Sequence, residues 1–419
     1  MSRLEQRFGS RAFGIVVAGA FGISLALAGC ARKQESEPGE SMMASTAPEG
    51  ALNIVAWAGS VERGEADSRF DWVSGFEART GCKVTVTTAA TGDEVIELLK
   101  SGGLKPSPPG DASWPPPGNA PFDLAITSGD VSIGLIRAGL VMPIDITRVP
   151  SYAAIDERLR TAPWHFVDGK HHGVPYQWGP NVLVYHTGVF QEPPDSWSVT
   201  FEAGRLPDGK PNKGRIQAYE GPIYIADAAL YLKSRNPELG IRDPYELDER
   251  QYAAVLELLR AQKPLVQRYW HDANVQVQDF MNGGVVAAVS RPFQATTLIA
   301  NRVEVAMTIP AEGATGWADT TLLATGARHP NCAYHWLEWS LSPKVQGDAA
   351  AWAASNPVVP KACEGNELLG PRGCADNGIA DYDRLYVWRA PEAECASHPA
   401  GCVPYSRWLA DYAAITGAN

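Results

Sequence analysis

With 419 residues, 45% of them hydrophobic and 20% charged, the chain is long enough to bury a full core and to divide into two lobes. Its formal charge of −11 argues against a nucleic-acid partner and is mildly compatible with a cationic ligand. No apolar run after the first thirty residues approaches the roughly 18 residues that span a bilayer.

Arg3, Arg7 and Arg11 form a basic leader ahead of an apolar run from Phe13 to Ala28, which predicts a secretory signal over residues 1–29. The small residues Ala28-Gly29 lead directly into Cys30 and resemble a bacterial lipobox, which implies lipid on Cys30 and a membrane-anchored, periplasmic or otherwise extracytoplasmic protein. Loss of the signal removes three Arg and one Glu, so the formal charge moves from −11 to −13. Residues 30–50 are polar, carry Pro, Gly and Ser without a period, and read as a flexible tether.

The folded region opens with a short strand, Leu52 to Trp57. Asp71 to Thr80 has helical spacing and stops at Gly81, Cys82 to Thr88 alternates as a strand, and Asp93 to Lys100 is a short helix. Phe122 to Thr127 and Val131 to Ala138 repeat the strand–helix alternation, which predicts a parallel, Rossmann-like α/β sheet. Between them, the proline-rich stretch from Gly102 to Pro121 reads as a surface insertion. Gly173 to Thr187 starts extended, is interrupted at Trp178-Gly179-Pro180 and resumes as an apolar strand. That break suits a crossover from one lobe to another, or a bulge within one sheet.

Strands follow at Arg215 to Ala218, Val285 to Ser290 and Glu304 to Ile309, with helices at Ala226 to Ser234 and Asp248 to Gln262. Pro310 to Asp319 reads as a Gly-rich loop, Leu322 to Ala324 as a short strand and Cys332 to Leu341 as an aromatic-rich helix. Residues 363–404 look loop-like and cysteine-pinned, ahead of a terminal helix from Tyr405 to Ile415. Of the seven cysteines, Cys30 apart, the rest form an even set expected in disulfides. Cys363 with Cys374 and Cys395 with Cys402 are near in sequence, which would leave Cys82 with Cys332, though other pairings stay open. Zinc is the rival use, but no CxxC is present.

In order along the chain, NIVAWAGS, FDLAITSGDV with AGLVMPID, GVPYQWG and IPAEGATGWADTTLLA resemble the spermidine/putrescine-binding proteins of bacterial ABC transporters, across roughly Leu52 to Pro360. The resemblance implies a two-lobed α/β periplasmic-binding-protein fold of type II, with a ligand cleft between lobes joined by crossover strands. It also implies a small amine ligand such as putrescine or spermidine, an ABC permease as partner, no cofactor, no catalysis and a monomer. The expected organisation is one lobe from 52–176 with 317–360, a second from 181–309, and a Cys-rich loop with a C-terminal helix over 361–419.

An alkyl-ammonium gains cation–π attraction from aromatic faces and a charge-assisted hydrogen bond from a carboxylate. By position in the resemblance, Trp57, Ser128, Asp130, Glu220, Trp317 and Asp319 are the expected ligand-binding residues. Core packing is the competing role for Trp57 and Trp317, and bracing its own turn is the competing role for Asp319. The chain departs from the pattern at Ser290-Arg291-Pro292-Phe293. Arg291 in the cleft would repel a polyamine and could hold a carboxylate or phosphonate, so a zwitterionic ω-amino acid or aminophosphonate is the alternative; a surface Arg291 would decide nothing. A ferric-binding protein or a metal-dependent extracytoplasmic enzyme is a further alternative, prompted by His165, His171, His172 and His186. No HExxH or GxSxG supports catalysis, and the histidines read better as a solvated loop.

Overall fold

The computed structural model describes residues 47–101 and 120–417. The signal, Cys30, all but the end of the tether and nearly all of the proline-rich insertion lie outside the described residues. The end of the tether docks on the body, where the Glu49 carboxylate accepts from the backbone N–H groups of Asn331 and Cys332, both at 2.9 Å. Those donors open the helix Pro330–Ser340, and a carboxylate suits the positive end of a helix.

The chain begins as β-α-β. β1 (Ala51–Trp57) is buried on both faces through Leu52, Ile54, Val55 and Ala56, as a central strand must be. β2 (Lys83–Ala89) and β3 (Leu124–Ser128) flank it in parallel. The intervening helix Val73–Thr80 turns Val73 and Phe76 inward and ends at Gly81, which adopts φ +75°. The next helix, Gly92–Lys100, is capped by Thr91, which accepts from Glu94 N–H at 3.2 Å. A short β4 (Val141–Met142) and the hairpin β5 (Phe166–Val167) with β6 (Lys170–His171) lead into β7 (Gly173–Pro180).

β7 does not break at Trp178-Gly179-Pro180. It runs through Pro180, and only Asn181 separates it from β8 (Val182–His186), which belongs to a different sheet. The second sheet is completed by β9 (Ile216–Tyr219), β10 (Val266–Trp270), β11 (Ala287–Ser290) and β12 (Val305–Thr308), in the order β10-β9-β11-β8-β12. β13 (Ala314–Ala324) then returns to the first sheet between β7 and β3, antiparallel to both. The expected loop over Pro310–Asp319 is therefore mostly strand. Gly313 does mark a turn, with φ +84° and its N–H donating to Pro310 O at 3.0 Å, whereas Gly316 lies in the strand, where an alanine Cβ would come 3.0 Å from Gly179 O of β7. Both sheets are mixed, not purely parallel, because the returning strands run against the β-α-β units.

Each sheet has its own core. One gathers Leu52, Trp72, Phe76, Trp178 and Trp336; the other gathers Leu183, Phe201, Tyr224, Tyr231 and Trp408. After the short β14 (Asn356–Pro357), the chain reaches β15 (Leu385–Val387), which adds in parallel to β13 at residues 314–316. Tyr382 and Leu385 pack on the first core, whereas Trp388, Val403, Trp408 and Tyr412 pack in the second. The terminal helix Tyr405–Thr416 thus sits on the second lobe, and the chain crosses between cores a third time at 385–388. Disulfides join Cys82 to Cys332, Cys363 to Cys374 and Cys395 to Cys402.

Candidate functional site

The first lobe supplies two carboxylates, Asp130 just past the end of β3 and Asp319 in the middle of β13. Asp319 lies on β13 directly beside Ser128 of β3, and the Trp57 indole at the end of β1 hydrogen-bonds to its carboxylate. Burial pushes the Asp319 carboxyl up to about 7, against the pull of Arg291 and Trp57, and Asp130 pushes it further up. Ser128 occupies the N-cap position of the helix Gly129–Arg137, but its hydroxyl donates to the Asp130 carboxylate at 2.6 Å and not to the helix backbone. Burial raises the Asp130 carboxyl too, while the bond from Ser128 and the charge of Arg291 hold it down.

The second lobe supplies the cation. Arg291 follows β11 and precedes the helix Pro292–Ala300, where proline at the first helical position fixes the exit. Its guanidinium carbon lies 5.9 Å from the Tyr219 ring, 5.6 Å from Trp317 and 5.6 Å from Trp388. Rings from the second sheet, from β13 and from the C-terminal segment therefore enclose it, each within cation–π reach. Arg291 thus faces the carboxylates of the opposite lobe and is no stray surface arginine.

Trp57, Ser128, Asp130, Arg291, Trp317 and Asp319 form one constellation. Glu220 follows Tyr219 but turns to the rim, where its carboxylate meets the exposed His271 ring at 3.0 Å. Trp317 packs in the second core, at 8% exposed, and its ring also faces Arg291. Asp319 is on a strand, so it braces no turn. Sequence reasoning missed Tyr219, Trp388 and Tyr405. Tyr219 had a signal as the last residue of a strand leading to a flagged acid. Tyr405, whose hydroxyl is pushed well up by burial and by Asp130, and Trp388 lie past the stretch carrying the resemblance and had none.

Behind the cleft, the crossovers are joined by polar groups. Asn181 donates to Thr315 at 2.7 Å, and the Thr315 hydroxyl donates to the buried Asp227 of the helix Tyr224–Arg235 at 2.8 Å. Burial pushes the Asp227 carboxyl up to about 7, with Thr315 and Asn181 pulling it back. The histidines are not a solvated loop. His165 is buried with Nε2 2.8 Å from Leu159 O, and burial lowers its pKa to about 4; His171 meets the Tyr152 hydroxyl at 2.9 Å. The Tyr152 and Phe166 rings lie 5.0 and 4.7 Å from the His171 ring, and His186 stands apart at the end of β8 in the second sheet. Among the described residues, no group of three or more His, Cys, Asp or Glu is placed to hold a metal.

Residues 71–368 match the family of bacterial extracellular solute-binding proteins. The chain belongs to that family. It is 26% identical over 247 residues to the putrescine/agmatine-binding protein of Pseudomonas aeruginosa, covering 54% of this chain and 62% of that protein. It therefore spans less than two thirds of that relative's length. To the putrescine-binding periplasmic protein PotF of Escherichia coli it is 26% identical over 288 residues, 66% of this chain and 70% of PotF. The TpPotD lipoprotein of Treponema pallidum superposes with a TM-score of 0.65 at 16% identity, over 87% of this chain and 99% of that one. The solute-binding protein therefore has the two-lobed type II periplasmic-binding-protein fold. The family match ends at 368, so Trp388 and Tyr405 come from a segment beyond it. No helix among the described residues is long and apolar enough to cross a membrane.

Proposed function

We propose that this solute-binding protein captures a small amine-bearing solute between its lobes and delivers it to an ABC permease, acting as a lipid-anchored monomer through Cys30 and catalysing nothing itself. The lobes are taken as 52–176 with 317–360 and 181–309. The observation that carries the reading is the Asp319 carboxylate, half-buried on β13, held by the Trp57 indole and near Asp130. A carboxylate with a raised pKa has unspent attraction for a cation, and an ammonium beside it would restore the ionised form. The indole faces of Trp57 and Trp317 suit the alkyl part of such a solute. Relatives named for binding putrescine and agmatine favour the same class.

The test is a thermal-shift screen of the mature chain against putrescine, spermidine, γ-aminobutyrate, 2-aminoethylphosphonate, Zn²⁺ and Fe³⁺. A true ligand at 100 times its Kd adds about 2.7 kcal/mol. Stabilisation by at least one amine and by neither metal is expected. Stabilisation by metals alone would overturn the reading.

A further inference from the structure

Arg291 differs from the half-buried arginines that hold a carboxylate; Arg160 also has a buried Nε without an acceptor, but among the described residues no ring cage surrounds it. Arg63 holds Glu77 at 2.7 Å, Arg215 holds Asp208 at 2.6 Å and Arg389 holds Asp243 at 2.5 Å. The Arg291 side chain has three aromatic rings around it, and its buried Nε has no acceptor within the protein. Asp130 and Asp319 act on it through space. A guanidinium presents donors in a planar fork that matches a carboxylate or phosphonate, and a buried donor left unmatched is costly.

Two of the rings carry the same deficit. The indole N–H groups of Trp317 and Trp388 are buried and also have no acceptor. Other buried indoles, such as Trp336 and Trp408, share that property in the cores, so the property alone is no signal. Here it is combined with position: both rings border one guanidinium at the seam of the lobes.

Trp388 is held there by design of the third crossing. Its backbone N–H donates to Gly316 O at 2.7 Å, alongside the pairing of β15 with β13. Its carbonyl lies so close to Gly129 that a Cβ there would sit 2.6 Å away, so the segment rests directly on the helix that carries Asp130. Arg384, just upstream, donates to the carbonyls of Ile309 and Pro310 in the second crossover, at 3.1 and 2.6 Å. On the other side, Arg389 is anchored to Asp243 and Glu246 of the second lobe.

From these observations we infer that the C-terminal segment completes an anion receptor, in which Arg291 caged by Tyr219, Trp317 and Trp388 binds a carboxylate or phosphonate on the same solute whose ammonium lies at Asp319. The inference rests on the amine reading above and narrows it to small zwitterions. The rings fix the guanidinium in place, so little side-chain freedom remains to be lost on binding. A dication such as putrescine would instead place a second positive charge against Arg291.

Titration calorimetry of the mature chain with γ-aminobutyrate, 2-aminoethylphosphonate, putrescine and butylamine tests this. One of the two zwitterions is expected to bind at least roughly 30-fold tighter than either amine lacking an anion. Arg291→Met should cost that zwitterion roughly 30-fold or more, Arg291→Lys less, and neither should weaken putrescine. Trp388→Phe, which keeps a ring but removes the N–H, should cost about tenfold, with circular dichroism confirming that each variant folds. Tighter binding of putrescine than of either zwitterion, or a zwitterion affinity indifferent to Arg291→Met, would overturn the anion receptor and leave the amine reading standing. Failure of every amine to bind would overturn both.

Discussion

The two faces of the cleft are opposite in charge and differ in how they are built. On the first lobe, Asp130 follows the end of β3 in a parallel β-α-β frame, and Asp319 sits mid-strand on the returning β13, beside the last residue of β3. On the second, Arg291 stands at the start of a helix, and its position depends on rings from three separate stretches of chain. The acidic face is thus set by the strand ladder of a single sheet, and the cationic face by assembly of separate stretches. The lobes also attract each other across the seam without any solute, so a solute must offer each face a better partner than the other face provides.

The largest expected effect comes from removing the acidic face. Asp319→Asn should weaken the best-binding amine roughly 30-fold or more in calorimetry, because an ammonium would lose its charged partner. The same variant should not unfold more easily at pH 8, since it removes a half-buried carboxylate whose ionisation is disfavoured. A variant that lost stability and kept affinity would mean that Asp319 is structural.

Ionisation of the same face gives a smaller effect. With the folded-state pKa of Asp319 at about 7, affinity for an ammonium should fall about tenfold from pH 8 to pH 6, as the carboxyl takes up a proton that binding must release. The slope should vanish in Asp319→Asn. Gly129→Ala probes the contact between the faces: its Cβ would meet the Trp388 carbonyl and the Trp164 ring at 2.6 and 2.9 Å. It should cost about 1–3 kcal/mol in denaturant unfolding and weaken binding by displacing Trp388.

The smallest effect lies at the crossovers. Asp227 titrates at about 7 when folded and near its ordinary 3.8 when unfolded. The folded state therefore holds its proton more tightly, and the stability this provides is full below about pH 4 and lost as pH rises through 7. Asp227→Asn keeps an acceptor for Thr315 and removes that loss. Relative to the unsubstituted protein it should be about 1–2 kcal/mol more stable at pH 8 than at pH 4, read from thermal unfolding at both.

The contrast between the faces also explains what could be read from the residues alone. Strands such as Leu52 to Trp57 and the helix ending at Gly81 declare themselves by local period and a stop residue, and with them came Trp57, Ser128 and Asp130. The crossover at Asn181 was visible because it follows Gly-Pro, although the break falls one residue beyond those two. β13 was hidden because the turn glycine Gly313 runs straight into Ala314, Gly316 and Ala318, which look like more loop when they pack in the ladder beside β7. Trp388 was hidden for another reason. Its place depends on a short strand of three residues and on contacts with both lobes, none of which leaves a period in the sequence. The solvated reading of the histidines failed for a different reason: Leu159, Tyr152 and Phe166 fold back onto His165 and His171 through short turns and two-residue strands that carry no period.

The most direct measurement is the crystal structure of the mature chain with its best-binding amine. The account predicts an ammonium about 3 Å from the Asp319 carboxylate, between Trp57 and Trp317, with both lobes in contact with the solute. A solute bound to one lobe only, or away from Asp319, would contradict it.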